Sequence, residues 1–366
     1  MKYLFILGRN PELSKLELKE FFKGKIKSSE EKDTALILDL EYLEKDSLKK
    51  LGGIIRIGKI LLETSEKNLE KDLEKIEIYS EKSNKLTYTL WEYSSYSEEL
   101  KEYLKNRLKS EKIKANYKGL NREIKMQENF LRIPSSKTLN KEYFLFSSKD
   151  KEYFGEITEF PNSEEIEKRD IEKPVRREEL AISPRLSKIM INLANLKEGE
   201  TLIDPFCGIG VILSEALLQK IKVIGIDKDK SAIQGAEKNL KWFKFKKDNY
   251  LLFNSDSTKI KIPKGDSIVT EPDLGETFKK IPTKEKAKKI IKEFEALIEK
   301  TINNLKENTE NRIVFTSPYI RIGKKRISCD IEKICKNTRT KLIFPGIPEY
   351  RENQIVGRKI YVLEKN

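Results

Sequence analysis

Apolar residues recur along this chain in two rhythms. In "KYLFILG", "TALILDL" and "IIRIGKILLE" they fill short runs, as buried strands do. In "NPELSKLELKEFF" they fall at Leu13, Leu16, Leu18 and Phe21 or Phe22, the spacing of an amphipathic helix opened by a proline. A βαβ-type alternation of this kind predicts a small α/β sandwich over residues 1–80. From residue 81 a second unit begins. "KLTYTLWEY" alternates as a strand, "SEELKEYLKNRLKSEKI" is a basic amphipathic helix, and "EYFLFSSKDKEYFGEIT" is a hairpin turning at Ser147–Asp150. Residues 161–185 are charged and broken by prolines, so they read as a connector.

From Leu186 the units lengthen. "TLIDPF", "KVIGIDKD", "YLLFNSDS", "DSIVTEP" and "RIVFTSPY" read as strands, separated by helical stretches, the longest from about Lys284 to Lys306. "KLIFPGI" and "GRKIYVLEK" read as a closing hairpin. The pattern predicts a parallel sheet with helices on both faces over residues 186–366.

Composition narrows the chemistry. No run of about 18 apolar residues exists, so no membrane span is expected, and the apolar start "MKYLFILG" reads as a first strand and not as a signal peptide. A net charge of +14 and a pI near 9.3 suggest a polyanionic partner, with lysine drift as the bland alternative. There is no histidine, which removes Ser-His and Cys-His catalysis and histidine metal sites. Cys207, Cys329 and Cys335 make neither a disulfide framework nor a zinc spacing, so no metal and a reducing cytoplasm are expected.

"LIDPFCGIGVILSEAL" carries the strongest signal. A strand ends at Asp204, and the turn Gly208-Ile209-Gly210 leads into a helix. Glycine lets backbone approach a ligand closely. Asp227 ends the next strand, seventeen positions after Gly210, where an acid can accept ribose hydroxyls. Leu213 stands where a dinucleotide fingerprint wants its third glycine, and Asp204 would repel a pyrophosphate. S-adenosylmethionine, with an ammonium group, a ribose and no phosphate, suits the set better. Asp256, in "NSDS", could accept the adenine amino group.

"DPFCGIG", the acid-ended strands and the strand ending in a proline motif resemble the THUMP-domain tRNA guanine-N2 methyltransferases. "FILGRNPELSKLEL", "EEIEKRDIEKPVRREELAISPRLSKIMINLA" and "YRENQIVGRKIYVLEK" extend the resemblance over most of the chain. It implies an amino-terminal ferredoxin-like α+β region at 1–80, a THUMP-like RNA-binding region at 81–160, a linker, and a Rossmann-like methyltransferase domain at 186–366. It also implies S-adenosylmethionine as cofactor and tRNA as partner. Asp204, Pro205, Phe206, Cys207, Gly208, Gly210, Asp227 and Asp256 become cofactor contacts. Glu271, Pro272 and Asp273 become the catalytic loop. There the wider family reads Asp/Asn-Pro-Pro-Tyr/Phe, and some members read Thr-Glu-Pro-Tyr-Leu-Gly. Here the sequence is Thr-Glu-Pro-Asp-Leu-Gly, so an aromatic is lost at Asp273. Tyr319 or Phe278 is a candidate substitute.

The basic residues expected to meet RNA are Lys101, Lys105, Arg107 and Lys109, with Arg169, Arg176 and Arg177 of the connector. The expected reaction is methyl transfer to a guanine exocyclic amine. Two other readings stay open. One is an RNA-binding relative that keeps the cofactor pocket but is catalytically weak. The other is an amino-methyltransferase acting on adenine or DNA.

Overall fold

The computed structural model describes residues 1–126, 130–135, 139–161, 163–176, 182–276 and 278–366. They form two compact units. One comprises Met1–Lys15, Phe22–Lys49 and Gly53–Pro161, and the other comprises Leu16–Phe21, Lys50–Gly52 and Asn162–Asn366.

The first unit is built on one sheet, drawn from both stretches expected to be separate regions, 1–80 and 81–160. Its strands are β1 (Lys2–Leu7), β2 (Ile26–Lys32), β3 (Ala35–Leu40), β4 (Ile54–Thr64), β5 (Lys85–Tyr93), β6 (Lys114–Tyr117), β9 (Lys141–Ser148) and β10 (Lys151–Glu159). Between them, β7 (Arg122–Lys125) and β8 (Phe130–Ile133) pair separately. The helices along this stretch of chain are α1 (Pro11–Phe21), of which Leu16–Phe21 belongs to the second unit, α2 (Ser47–Lys50), of which Lys50 does, α3 (Leu69–Leu73) and α4 (Ser97–Ser110). The order is β2-β3-β1-β4-β10-β9-β5-β6. β2, which the sequence reading did not find, follows α1 and runs parallel to β1 on the far side of β3. β1 pairs antiparallel with both β3 and β4, because β2 intervenes. β2, "IKSSEEK", is too polar to register as a buried run. In α4, Leu100, Leu104 and Leu108 repeat at i+4 and are fully buried against Tyr88, Leu90 and Tyr143.

The second unit opens with α5 (Ser163–Ile171) and α6 (Pro184–Leu193). The sheet strands are β11 (Thr201–Asp204), β12 (Lys222–Asp227), β13 (Tyr250–Asn254), β14 (Ser267–Thr270), β15 (Arg312–Ile322), β16 (Lys325–Ile327), β17 (Thr340–Leu342), β18 (Ile347–Glu349) and β19 (Val356–Lys365). The helices among them are α7 (Val211–Leu218), α8 (Lys230–Trp242), α9 (Lys284–Leu305) and α10 (Ile331–Thr338). The order is β13-β12-β11-β14-β15-β19-β17, parallel from β13 to β15. β19 pairs antiparallel with β15, β17 and β18, so the closing hairpin carries one strand more than the sequence suggested. Strand order reverses at β11. In open α/β sheets such a switch point leaves a crevice at the carboxyl ends, where ligands bind. The core beneath packs Phe294 on Phe315 and Phe315 on Tyr361, with centroids 6.3 and 5.7 Å apart. Among the described residues no helix is long and apolar enough to cross a membrane.

Candidate active site

Four strand ends open onto one cleft of about 900 Å³, within the size range of small-molecule sites. Asp204 ends β11, Asp227 ends β12, Asp256 follows β13, and Glu271 and Pro272 follow β14. One wall is lined by Ala296, Leu297 and Lys300 of α9.

Asp204 is buried at the floor. Its Oδ1 accepts from the Thr270 hydroxyl at 2.6 Å and from the Phe206 amide at 3.2 Å. Burial pushes its carboxyl up to about 7. The two hydrogen bonds oppose that rise, and the nearby charges of Asp227 and Glu271 add to it.

Asp227 holds the turn. Its Oδ2 accepts from the Gly208 amide at 2.9 Å, and its Oδ1 from the Asp229 amide at 2.8 Å. Gly208 has φ +51, and a Cβ built there would meet nothing within 4 Å, so its backbone borders open space. That is the cradle a ligand needs for close approach. Gly210 is different. With φ +84 it turns the chain into α7, and a Cβ there would stand 3.3 Å from Ala236 of α8. Its glycine answers to a helix contact, and it does not line the cleft. Pro205 is also buried off the cleft, whereas Phe206 and Cys207 line it. Burial pushes the Cys207 thiol well up, which keeps it protonated. Asp256 is exposed. Hydrogen bonds from the Thr258 hydroxyl, 2.7 Å, and amide, 2.9 Å, hold its carboxyl below the usual range.

The loop after β14 differs from the sequence reading in two ways. Glu271 carries a partner that the sequence did not reveal. Arg358 of β19 grips it with both arms, Nε to Oε2 at 2.5 Å and Nη2 to Oε1 at 2.9 Å, and the Thr316 hydroxyl adds a bond at 3.2 Å. An ionised carboxylate offers about four acceptor positions. At least three are taken, so Glu271 has little left for the two hydrogens of an amine. Asp273 is exposed and accepts from the Gly275 amide at 2.9 Å, where Gly275 has φ +93. It braces the turn through its own side chain, as short acids do.

Tyr319 and Phe278 were the candidates for the lost aromatic's place. β15 runs on through Ile322, and Tyr319 stands in register with Gly357, its ring 5.7 Å from Tyr350. Phe278 is half-buried, under the Lys286 ammonium.

Several of the residues expected to meet RNA are tied into intramolecular bonds. Arg107 bonds the carbonyls of Leu73 and Ile76 and pairs with Glu111. Lys101 is held between Glu92 and Glu98, at 2.8 and 2.7 Å. Arg169 is largely buried against Glu215, itself 2% exposed, at 3.7 Å. Lys105, Lys109 and Arg176 are exposed, and Arg177 lies outside the described residues. Burial separates these groups, and a lysine or arginine run does not encode it.

Comparison with known proteins completes the picture. A DNA methylase family model matches residues 32–238, more than half of the chain. The chain belongs to this methylase family. Residues 174–319 of the chain also match an RMKL-like methyltransferase domain, covering every strand end of the cleft. It is 35% identical over 115 residues to the tRNA (guanine(10)-N2)-dimethyltransferase of Methanothermobacter thermautotrophicus, 31% of this chain and 33% of that one. It is 34% identical over 156 residues to the enzyme of that name from Methanocaldococcus jannaschii, 41% and 39% of the two chains. The matched segments thus span little more than a third of these relatives. In fold, the chain resembles TrmN from Thermus thermophilus with a TM-score of 0.55, at 14% identity over 100% of both chains. It also resembles a possible methylase from Clostridium difficile 630 with a TM-score of 0.51, at 16% identity, over 99% and 98% of the two chains.

The family implies S-adenosylmethionine as methyl donor, and the cleft fits it. Carboxylates and an open glycine backbone line the cleft where a sulfonium cofactor with ammonium and ribose groups needs acceptors. A phosphate-bearing ligand would meet Asp204, Asp227 and Asp256 with its own charge. Among the described residues no acid or thiol cluster suits a metal ion.

Proposed function

We propose that this chain transfers a methyl group from S-adenosylmethionine to the exocyclic N2 of a guanine in tRNA. The observation that carries the reading is the convergence of Asp204, Asp227, Asp256 and the Glu271-Pro272 loop on one cleft. The named tRNA dimethyltransferases among its relatives support the substrate. When bound, the cofactor supplies an electrophilic methyl group. Asp227 would accept its ribose hydroxyls, Asp256 its adenine amino group, and Asp204 would face its ammonium. The Pro272 carbonyl and the remaining acceptor position of Glu271 would orient the amine for direct in-line attack. Preorganised acceptors of this kind stabilise a developing transition state.

The amino-terminal unit would bind tRNA, with a ferredoxin-like region at 1–80 and a THUMP-like region at 81–160, followed by a linker at 161–185. Lys105 and Lys109 are its remaining helix candidates, beside the connector's Arg176. Free thiols at Cys207, Cys329 and Cys335 fit work in a reducing cytoplasm.

The test is methyl transfer from labelled cofactor into total tRNA, followed by nucleoside analysis. Labelled N2-methylguanosine or its dimethyl form is expected. Label in methyladenosine, or only in DNA, would replace the substrate. The bidentate hold of Arg358 on Glu271 favours a second reading, a tRNA-binding relative with little catalysis. That reading gains if cofactor and tRNA both bind and no label is transferred.

A further inference from the structure

Helix α9 carries a feature that the cleft alone does not require. Lys284, Lys288, Lys292, Ala296 and Lys300 follow one another at i+4 spacing, and all five are exposed. On an α-helix such positions form a continuous ridge, rising about 6 Å per step. The far end of this ridge enters the site, because Ala296 and Lys300 line the cleft wall. Near its other end, the segment 279–292 holds seven lysines against one glutamate, a net of +6 out of +14 for the whole chain. Lys286 pairs with Glu276 at 2.5 Å, and Lys289 lies 3.9 Å from Glu293. Among the described residues Lys284, Lys288 and Lys292 enter no ion pair.

Stability does not account for this placement. Like charges at i+4 repel. Cations near a helix amino terminus also oppose the helix dipole. A solvated lysine-rich face would serve as well with charges scattered or paired. Here the unpaired charges follow one ridge, and the ridge ends in the cleft.

We infer that this ridge of α9 is a phosphate-binding track that leads the backbone of an RNA substrate to the methyl-transfer cleft. The inference rests on the proposed function above. Spaced point charges suit a repeating polyanion, which they hold without reading sequence. Lys279 and Lys280, both exposed and just beyond the turn braced by Asp273, extend the same field.

The test compares the parent full-length protein with a triple variant, Lys284→Gln, Lys288→Gln and Lys292→Gln. All three side chains are exposed, and glutamine keeps helix propensity, so folding should survive. Binding of a tRNA transcript is followed by fluorescence anisotropy from about 50 to about 200 mM salt, a span over which phosphate binding weakens steeply. The expected result is a tenfold or greater loss of affinity. The slope of log K against log salt should shrink by about 2–3, at roughly 0.7–0.9 for each phosphate no longer neutralised. Cofactor affinity should stay within about twofold, a shift too small to reflect a damaged site. Unchanged tRNA affinity and slope would overturn the inference. So would tighter parent binding to duplex DNA than to tRNA, with the variant's loss confined to DNA. The two proposals fail separately. If the parent methylates no RNA while the triple variant still loses tRNA, the track stands and the enzymatic reading falls. If the triple variant methylates tRNA with the parent's rate and saturation, the track falls and the enzymatic reading stands.

Discussion

Arg358 binds Glu271 through both carboxylate oxygens, although 87 positions separate them in the chain. Both side chains are nearly out of solvent, at 13% and 9% exposure. Burial lowers the pKa of an arginine, yet that of Arg358 is raised, because the Glu271 carboxylate accepts its hydrogen bonds and attracts its charge. The pair fixes the strand end that carries the proposed catalytic loop.

Arg358→Gln should therefore strand a buried charge. A loss of about 3–5 kcal/mol in unfolding free energy is expected, as for broken buried pairs. Glu271→Gln should be milder, because an amide can still accept one guanidinium bond. A double-mutant cycle read by denaturant titration should give a coupling of at least about 1 kcal/mol. Additive losses would mean the two residues act independently.

Asp204 should make cofactor binding depend on pH. Its folded carboxyl lies near 7, above the unfolded value of about 3.9. Its contribution to stability is then fully present below about pH 4 and is lost as pH rises through about 7. Binding of an ammonium-bearing cofactor should run the opposite way and tighten as the acid ionises. Calorimetric titration across that range should show the rise in the parent and none in Asp204→Asn. A parallel rise in the variant would assign it to another group.

Asp227→Ala should abolish S-adenosylmethionine binding while leaving the molecule folded. The variant loses the proposed ribose acceptor and also frees the amides of Gly208 and Asp229. Affinity within about threefold of the parent's, less than 1 kcal/mol, would remove Asp227 from the site.

Asp273→Asn should keep activity close to the parent's, because an amide oxygen can still accept from Gly275. Asp273→Ala loses that bond, worth about 1 kcal/mol, and should slow single-turnover methylation by roughly fivefold. Equal loss in both variants would show that the negative charge matters more than the brace.

Arg169→Ala separates a structural arginine from an RNA contact. With Glu215 buried beside it, the substitution should lower the melting temperature and leave the salt slope of tRNA binding unchanged. Lys105→Gln with Lys109→Gln should do the reverse, since both side chains are exposed.

Much of the carboxyl-terminal unit was legible in the sequence, and the reason is physical. Strands β11, β12, β14 and β15 are largely buried on both faces, so they appear as short apolar runs, and β11 and β12 end in acids. The turn at Gly208 was legible because a positive φ beside open space favours glycine. The amino-terminal sheet was less so. β2 exposes most of its residues, and polar strands carry no apolar rhythm. The partnership of Glu271 with Arg358 depends on β19 returning beside β15, which no local spacing encodes. Nor does a run of basic residues reveal that Arg107 caps buried carbonyls while Lys105, two positions away, faces water. A missing aromatic at Asp273 was visible, but the brace that replaces it was not.

The two amide bonds to Asp227 have a thermodynamic consequence. A side chain that must be immobilised by its ligand typically forfeits about 0.5–1.5 kcal/mol of binding free energy as lost rotamer freedom. Asp227 is already held, one oxygen by Gly208 and the other by Asp229. Its ordering was completed when the chain folded. On the proposed function, a ribose arriving there would meet an acceptor pair whose direction is fixed, so selection would fall on the ligand's shape and not on the protein's adaptability.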